Sequence, residues 1–298
     1  MATRRPIHEP LALQVTPARR QSSRRSMVRA GSSGSRYCGA GKNSGVDINV
    51  IVTINDVMGK RASSGRSSDG VSGGAPDAEF DRLLAACAEV AGLFQEGVAF
   101  IGGIAVYLHA INLPGTRDFA EATHDADIYI SLADMADLRD LEEVTANRRL
   151  SKHQMVKHGF EFDIYTERQS SLIVPYDAVM AHAVSYDGTR VASLEHLLVL
   201  KLEAFADRKG SVKGDKDAKD LLRIGAVAAR GASGFRAALS APYIRDVHID
   251  LLTLVERGPQ VTSLAMGNAM VAKRLRREFG VLVAAVKKDY AGPRVVGT

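Results

Sequence analysis

FIGGIAVYLHAINLPGTRDFAEATHDADIYI, residues 100–130, joins a Gly-Gly turn to a pair of alternating aspartates. An apolar run leads into Gly102 and Gly103, and the segment beyond them, IAVYLHA, predicts a helix. At the far end DADIYI alternates like a strand, which sets Asp125, Asp127 and Tyr129 on one face and Ala126, Ile128 and Ile130 on the other. Two carboxylates side by side repel, and either a proton or a cation must relieve them. Magnesium suits hard oxygen ligands and is usually held by one or two carboxylates plus substrate phosphates. Glycine in turn lets phosphate approach backbone amides at a helix start, where the dipole favours an anion. Each half alone has an ordinary explanation, a common turn and a solvated strand end. Their order and spacing point to a nucleotide held with magnesium.

Working outward, AEFDRLLAACAEVAGLFQEG carries Phe80, Leu83, Leu84, Cys87, Val90, Leu93 and Phe94 at helical spacing and stops at Gly97. Val98–Ile101 reads as a short buried strand, and LADMADLRDLEEV as a helix after the aspartates. A second alternating segment, GFEFDIYT, has Phe160, Phe162 and Ile164 on its apolar face, so Asp163 shares the other face with Glu161 and Tyr165. Beside DADIYI this strand would add a third carboxylate; alone, Asp163 is an ordinary polar residue on an exposed face.

In SLEHLLVLKLEAFADRKG, Ser193 is placed to cap a helix whose Leu194, Leu197, Leu198, Lys201, Ala204, Phe205 and Arg208 fall on one side. Lys201 and Arg208 are thus expected inside an apolar stripe, where an unpaired cation is costly. The next helix, GDKDAKDLLRI, offers Asp217 and Asp220 on one face with Leu221 and Ile224. Two readings stand together: buried ion pairs between the helices, and cations turned towards nucleotide phosphates. Beyond Arg230 the periodicity is helical, with KRLRRE and VKKDY as basic turns, either solvated or in contact with RNA, and Met266 and Met270 as core.

The chain has 298 residues and a net charge of +5, but the charge is uneven. Residues 1–75 carry twelve Lys or Arg against four Asp or Glu, a surplus of eight that leaves the remainder negative. That stretch is rich in Arg, Ser and Gly and too poor in apolar residues for a core; only INVIVTI, residues 48–54, looks like a strand. It reads as a disordered basic tail, with three roles open: an RNA or DNA contact, an organelle transit segment, or an unstructured extension. No apolar run is long enough to span a membrane. Cys38 and Cys87 are too few for a disulfide framework or a zinc site, so a reducing, cytoplasmic setting is expected.

Taken in order, GG-x-A, Thr123-x-Asp125-x-Asp127, a strand Asp, Leu198 to Arg208 as L-x-x-K-L-x-A-x-x-x-R, and Lys216 to Asp220 as K-D-x-x-D resemble the nucleotidyltransferases of the DNA polymerase beta superfamily. The AbiEii-type toxins of abortive-infection systems look most similar, over about residues 97–225. The resemblance implies an α+β fold, a nucleotidyltransferase-like mixed sheet with flanking helices, followed by a helical C-terminal region. The expected divisions are a tail at 1–75, a nucleotidyltransferase domain at 76–230 and a helical region at 231–298. It further implies that Gly102 and Gly103 form a phosphate-binding turn near Thr123. Asp125, Asp127 and Asp163 would hold two magnesium ions, Asp163 also helping to deprotonate an acceptor hydroxyl. Lys201 would contact the NTP triphosphate, and Arg208, Asp217 and Asp220 would fix the second-helix motif. Position 122, where the family often has a basic residue, is Ala; Arg117 and His124 are the cations nearest it in sequence.

The implied activity is magnesium-dependent transfer of an NMP from an NTP to an acceptor hydroxyl, on RNA such as tRNA or on a protein, with an antitoxin protein as partner in a toxin–antitoxin pair. The alternatives are an enzyme acting on a small molecule such as an aminoglycoside, and a non-catalytic nucleotide- or RNA-binding module.

Overall fold

The computed structural model describes residues 75–168, 172–231 and 234–290. The expected tail, up to residue 74, and the strand read at 48–54 lie outside the described residues. All described residues fall in one compact unit.

Helix α1 (Ala75–Leu93) buries Phe80, Leu83, Cys87 and Val90 at helical spacing, whereas Leu93, expected on that stripe, is exposed at the helix end. Burial in apolar surroundings pushes the free Cys87 thiol up to about 12, so it behaves as a core residue. Strand β1 (Val98–Ile101) is buried along its whole length and runs directly into α2 (Gly102–Asn112). Strand β2 (Asp125–Ile130) follows, then α3 (Leu132–Leu141), whose first turn is capped by Ser131 accepting from the Asp134 amide.

β3 (Thr145–Asn147), β4 (Lys152–Lys157) and β5 (Phe160–Thr166) form a meander. α4 (Tyr176–Ala181), β6 (Val184–Tyr186) and β7 (Thr189–Val191) come next. The helical remainder is α5 (Leu194–Arg208), α6 (Val212–Arg230), α7 (Ala237–Ser240), α8 (Asp246–Arg257), α9 (Gln260–Leu264) and α10 (Ala269–Asp289).

The strands make one mixed sheet in the order β3-β4-β5-β2-β1-β7-β6. The pairs β2–β5 and β1–β7 are parallel, and the rest are antiparallel. The expected α+β class, a mixed sheet flanked by helices and followed by a helical C-terminal region, is therefore what the chain adopts.

The β4–β5 and β6–β7 hairpins each turn on two left-handed residues, His158-Gly159 and Asp187-Gly188. This is the turn whose twist matches paired strands, and it fixes their register. His109 of α2 ties that helix to β6 and β7 by donating from Nε2 to the Ala192 carbonyl and accepting the Tyr186 hydroxyl at Nδ1, each at 2.8 Å. Burial holds the imidazole below its ordinary value, consistent with that neutral form.

The α5–α6 pair packs on α2, and α10 packs along α6. Phe279 of α10 lies so close to Gly225 that an added Cβ would stand 2.5 Å from its ring. Met266 and Met270, expected in the core, are instead exposed. Met266 occupies a left-handed turn before α10, and the core side of that helix is filled by Ala272, Leu275 and Phe279. Among the described residues no helix is long and apolar enough to cross a membrane.

Candidate active site

The site begins with strand register. Alternation sends Ala126, Ile128 and Ile130 into the core and leaves Asp125 exposed and Asp127 half-buried. On β5 the same rule buries Phe160, Phe162 and Ile164 and turns Asp163 outward. Because β2 and β5 pair in parallel, Asp127 stands directly opposite Asp163; Gln154 of β4 lies opposite Asp163 on its other side. Tyr129 shares the aspartates' face yet is buried, since it packs edge-on against Tyr176 of α4.

This row floors a cleft of about 530 Å³, within the range of small-molecule pockets. Of the residues singled out from sequence, Gly102, Gly103, Asp125, Asp127, Asp163, Lys201, Arg208 and Asp217 line it. Thr123 and Asp220 do not line it, and each holds a lining residue in place. Thr123 donates from Oγ1 to Asp125 Oδ1 at 2.7 Å and accepts from Lys216 Nζ at 3.1 Å. Asp220 Oδ2 lies 2.7 Å from Lys201 Nζ. The cation sought beside Thr123 thus comes from Lys216 on α6, while His124 is exposed.

The two glycines have a reason within the protein itself. Gly102 has φ of +71°, and a Cβ there would stand 2.0 Å from Asp127 Oδ2. A Cβ on Gly103 would be 3.2 Å from Thr123 Oγ1. Gly102→Ala is expected to destabilise the protein by about 1–3 kcal/mol from backbone strain alone, with the Asp127 clash added. Gly92→Ala, in α1 with open space around it, should be neutral or stabilise by up to about 1 kcal/mol. Urea denaturation of the two variants checks both; equal midpoints would remove the close approach as the reason for Gly102.

Charge is arranged unevenly around the floor. Burial works against the Asp125 carboxylate, but the Thr123 hydrogen bond and the charges of Lys216 and Lys201 hold it below its ordinary value. Burial raises Asp127 to about 6; Asp125 and Asp163 add to the rise, and Lys201 and Lys152 oppose it. Without a bound cation, therefore, the pair carries the repulsion that adjacent carboxylates predict.

Hard oxygen donors with unrelieved negative charge fit magnesium, and Asp125 and Asp127 are the two that would hold it. Among the described residues no group of three or more His, Cys, Asp or Glu side chains forms a metal cluster by itself. Asp163, the implied third carboxylate, is engaged by protein donors on both oxygens, by Lys152 Nζ on Oδ2 and by Gln154 Nε2 on Oδ1 at 3.0 Å.

Lys201 lies in the apolar stripe of α5 as expected, only 9% exposed, between Asp220 and Asp217, the latter 3.6 Å away. Burial opposes its charge, yet Asp220 and Asp217 outweigh that and raise its pKa. Arg208 departs from expectation. It sits exposed at the end of α5, with its side chain 42% accessible, and reaches back to clasp both oxygens of Asp217 at 3.0 and 3.1 Å. Arg223, not singled out from sequence, is buried; it donates to Asp220 Oδ1 at 3.0 Å and pairs with Glu121.

No family model matches the chain, and no curated protein matches it. Solved structures that resemble it include an antigenic nucleotidyltransferase-like protein from Paracoccidioides brasiliensis, with 17% identity over 65% of this chain and 94% of that one and a TM-score of 0.38. JHP933 from Helicobacter pylori is 15% identical over 71% of this chain and 92% of its own, with a TM-score of 0.40. The Megavirus polyadenylate synthase is 11% identical over 55% of this chain and 39% of its own, with a TM-score of 0.39. At such values the likeness assigns no role to any residue of this chain.

Proposed function

We propose that the cleft is the active site of a magnesium-dependent nucleotidyltransferase that moves an NMP from an NTP to an acceptor hydroxyl. The observation that carries this reading is the cross-strand row Asp127–Asp163, with Asp125 on the same face two residues from Asp127. The ion would be held by Asp125 and Asp127. When bound, it supplies a Lewis acid at the α-phosphate and charge for the departing pyrophosphate.

The chain's own residues do the positioning. Helix α2 starts at Gly102 without a side-chain cap, so its first amides and its dipole are available to a phosphate at the cleft. Lys201 and Lys216 place two cations on the α5–α6 side, for the triphosphate. Asp163 faces the acceptor. The acceptor oxygen bonds to the α-phosphorus, the bond from that phosphorus to the bridging oxygen breaks, and pyrophosphate leaves; the acceptor proton passes to the Asp163 carboxylate. The acceptor in this reading is RNA, such as a tRNA end, or a protein side chain. The setting is a cytoplasmic toxin restrained by an antitoxin protein.

The test is incubation of the full chain with each α-labelled NTP, magnesium and total bacterial RNA, read on a denaturing gel. The expected result is label on RNA that is absent from the Asp125→Asn/Asp127→Asn variant. Label on protein would name a protein acceptor. No label, with NTP still raising the melting temperature by mass action, would replace the proposal with a small-molecule enzyme or a binding module.

A further inference from the structure

The third carboxylate of the row is held unlike the other two. On β4, alternation puts Lys152 and Gln154 on one face, and the β4–β5 register sets Gln154 directly opposite Asp163, with Lys152 its diagonal neighbour. Gln154 Oε1 accepts from Asn147 Nδ2 at 3.0 Å, which orients its amide nitrogen towards Asp163 Oδ1. Lys152 Nζ rests on Oδ2 of the same carboxylate. The Lys152 and Asp163 side chains are only 11% and 18% accessible, and both line the cleft. Asp163 therefore faces the site already paired with a fixed cation, in a place where solvent screens the pair weakly.

We propose that Lys152 takes the place of a second metal ion, so that the cleft loaded with an NTP holds a single divalent ion, at Asp125 and Asp127. This rests on the nucleotidyltransferase reading of the cleft. The geometry supports it: Lys152 and Gln154 occupy both oxygens of Asp163, which leaves Asp125 and Asp127 as the carboxylates of the row open to an ion. A second ion at Asp163 would sit against the ammonium group and be repelled by it, besides competing with the Gln154 hydrogen bond. Lys152 then occupies, at the acceptor side, the place on Asp163 that a second ion would take.

The experiment counts manganese ions bound per chain by electron paramagnetic resonance titration, with the full protein saturated by non-hydrolysable α,β-methylene NTPs. The expected count is about one for the wild type and for Lys152→Arg, rising to about two in Lys152→Met and Lys152→Gln, where Asp163 is released. In Lys152→Met/Asp163→Asn the count is expected to return to about one. Two neutral variants of different shape keep the result from depending on how either one folds, and circular dichroism melts accompany each count. A wild-type count of two overturns the inference and leaves the nucleotidyltransferase reading in place. So does a count that stays at one in both folded neutral variants. Analogue binding that recruits no manganese at all overturns the metal-dependent reading of the cleft and the inference with it.

Discussion

If the cleft works as proposed, Asp125→Asn/Asp127→Asn is expected to lose transfer by about a thousandfold or more while remaining folded, because several kcal/mol of transition-state stabilisation would pass through the ion these residues would hold. The single variants should separate in stability. Asp127 is raised from 3.8 to about 6 in the folded chain, so between those values the native state binds the extra proton. This carboxyl therefore subtracts stability as pH climbs through that window, and Asp127→Asn removes the loss. Its melting temperature should exceed that of wild type above the window and converge with it below. Asp125 is depressed instead, so its carboxylate contributes stability above its ordinary value and loses it as pH falls; Asp125→Asn forfeits that contribution. Melts at three pH values spanning the window, with the labelled-NTP assay, check both parts. Retained transfer in the double variant would place the chemistry elsewhere.

Lys201→Ala is expected to cost about 3–5 kcal/mol, the largest stability loss among these variants, because it leaves Asp217 and Asp220 without their shared buried cation. For a chain of 298 residues that corresponds to a melting temperature lower by roughly 5–8 °C. Asp217 keeps Arg208 and Asp220 keeps Arg223, so the fold should survive with weakened NTP binding. Lys201→Ala/Asp220→Asn should recover part of the loss, since the second change removes one of the two carboxylates that shared Lys201. The coupling is read from urea midpoints at unchanged slope. A loss under about 1 kcal/mol would mean that water screens the pair as it does at a surface.

Much of the floor could be read from alternation alone. DADIYI and GFEFDIYT each declare an apolar face, so the outward direction of Asp125, Asp127 and Asp163 follows from spacing. What joins Asp127 to Asp163 is a parallel pairing between strands separated by α3 and two further strands, and no local pattern encodes it. Lys152 and Gln154 were missed for a different reason: KHQMVK is polar enough to pass for surface. A usable signal did exist. His158-Gly159 is a two-residue hairpin turn, and counting back from it pairs 157 with 160 and hence 154 with 163. Arg208 differs because it is the last residue of α5, where its side chain reaches solvent while still clasping Asp217. Met266 and Met270 differ from expectation because apolar character alone does not imply burial: Met266 sits in a left-handed turn, and Met270 is exposed in the first turn of α10.

The charges behind the cleft differ greatly in how easily they can be lost. Asp125 is exposed, while Lys201, Asp217, Asp220 and Arg223 are nearly enclosed and hold one another. A lineage released from selection for catalysis would shed the exposed aspartate early and keep the enclosed quartet for as long as the chain must fold. On the proposed reading, helix motifs surviving in a distant sequence would then testify to ancestry, and only the strand aspartates to continuing chemistry.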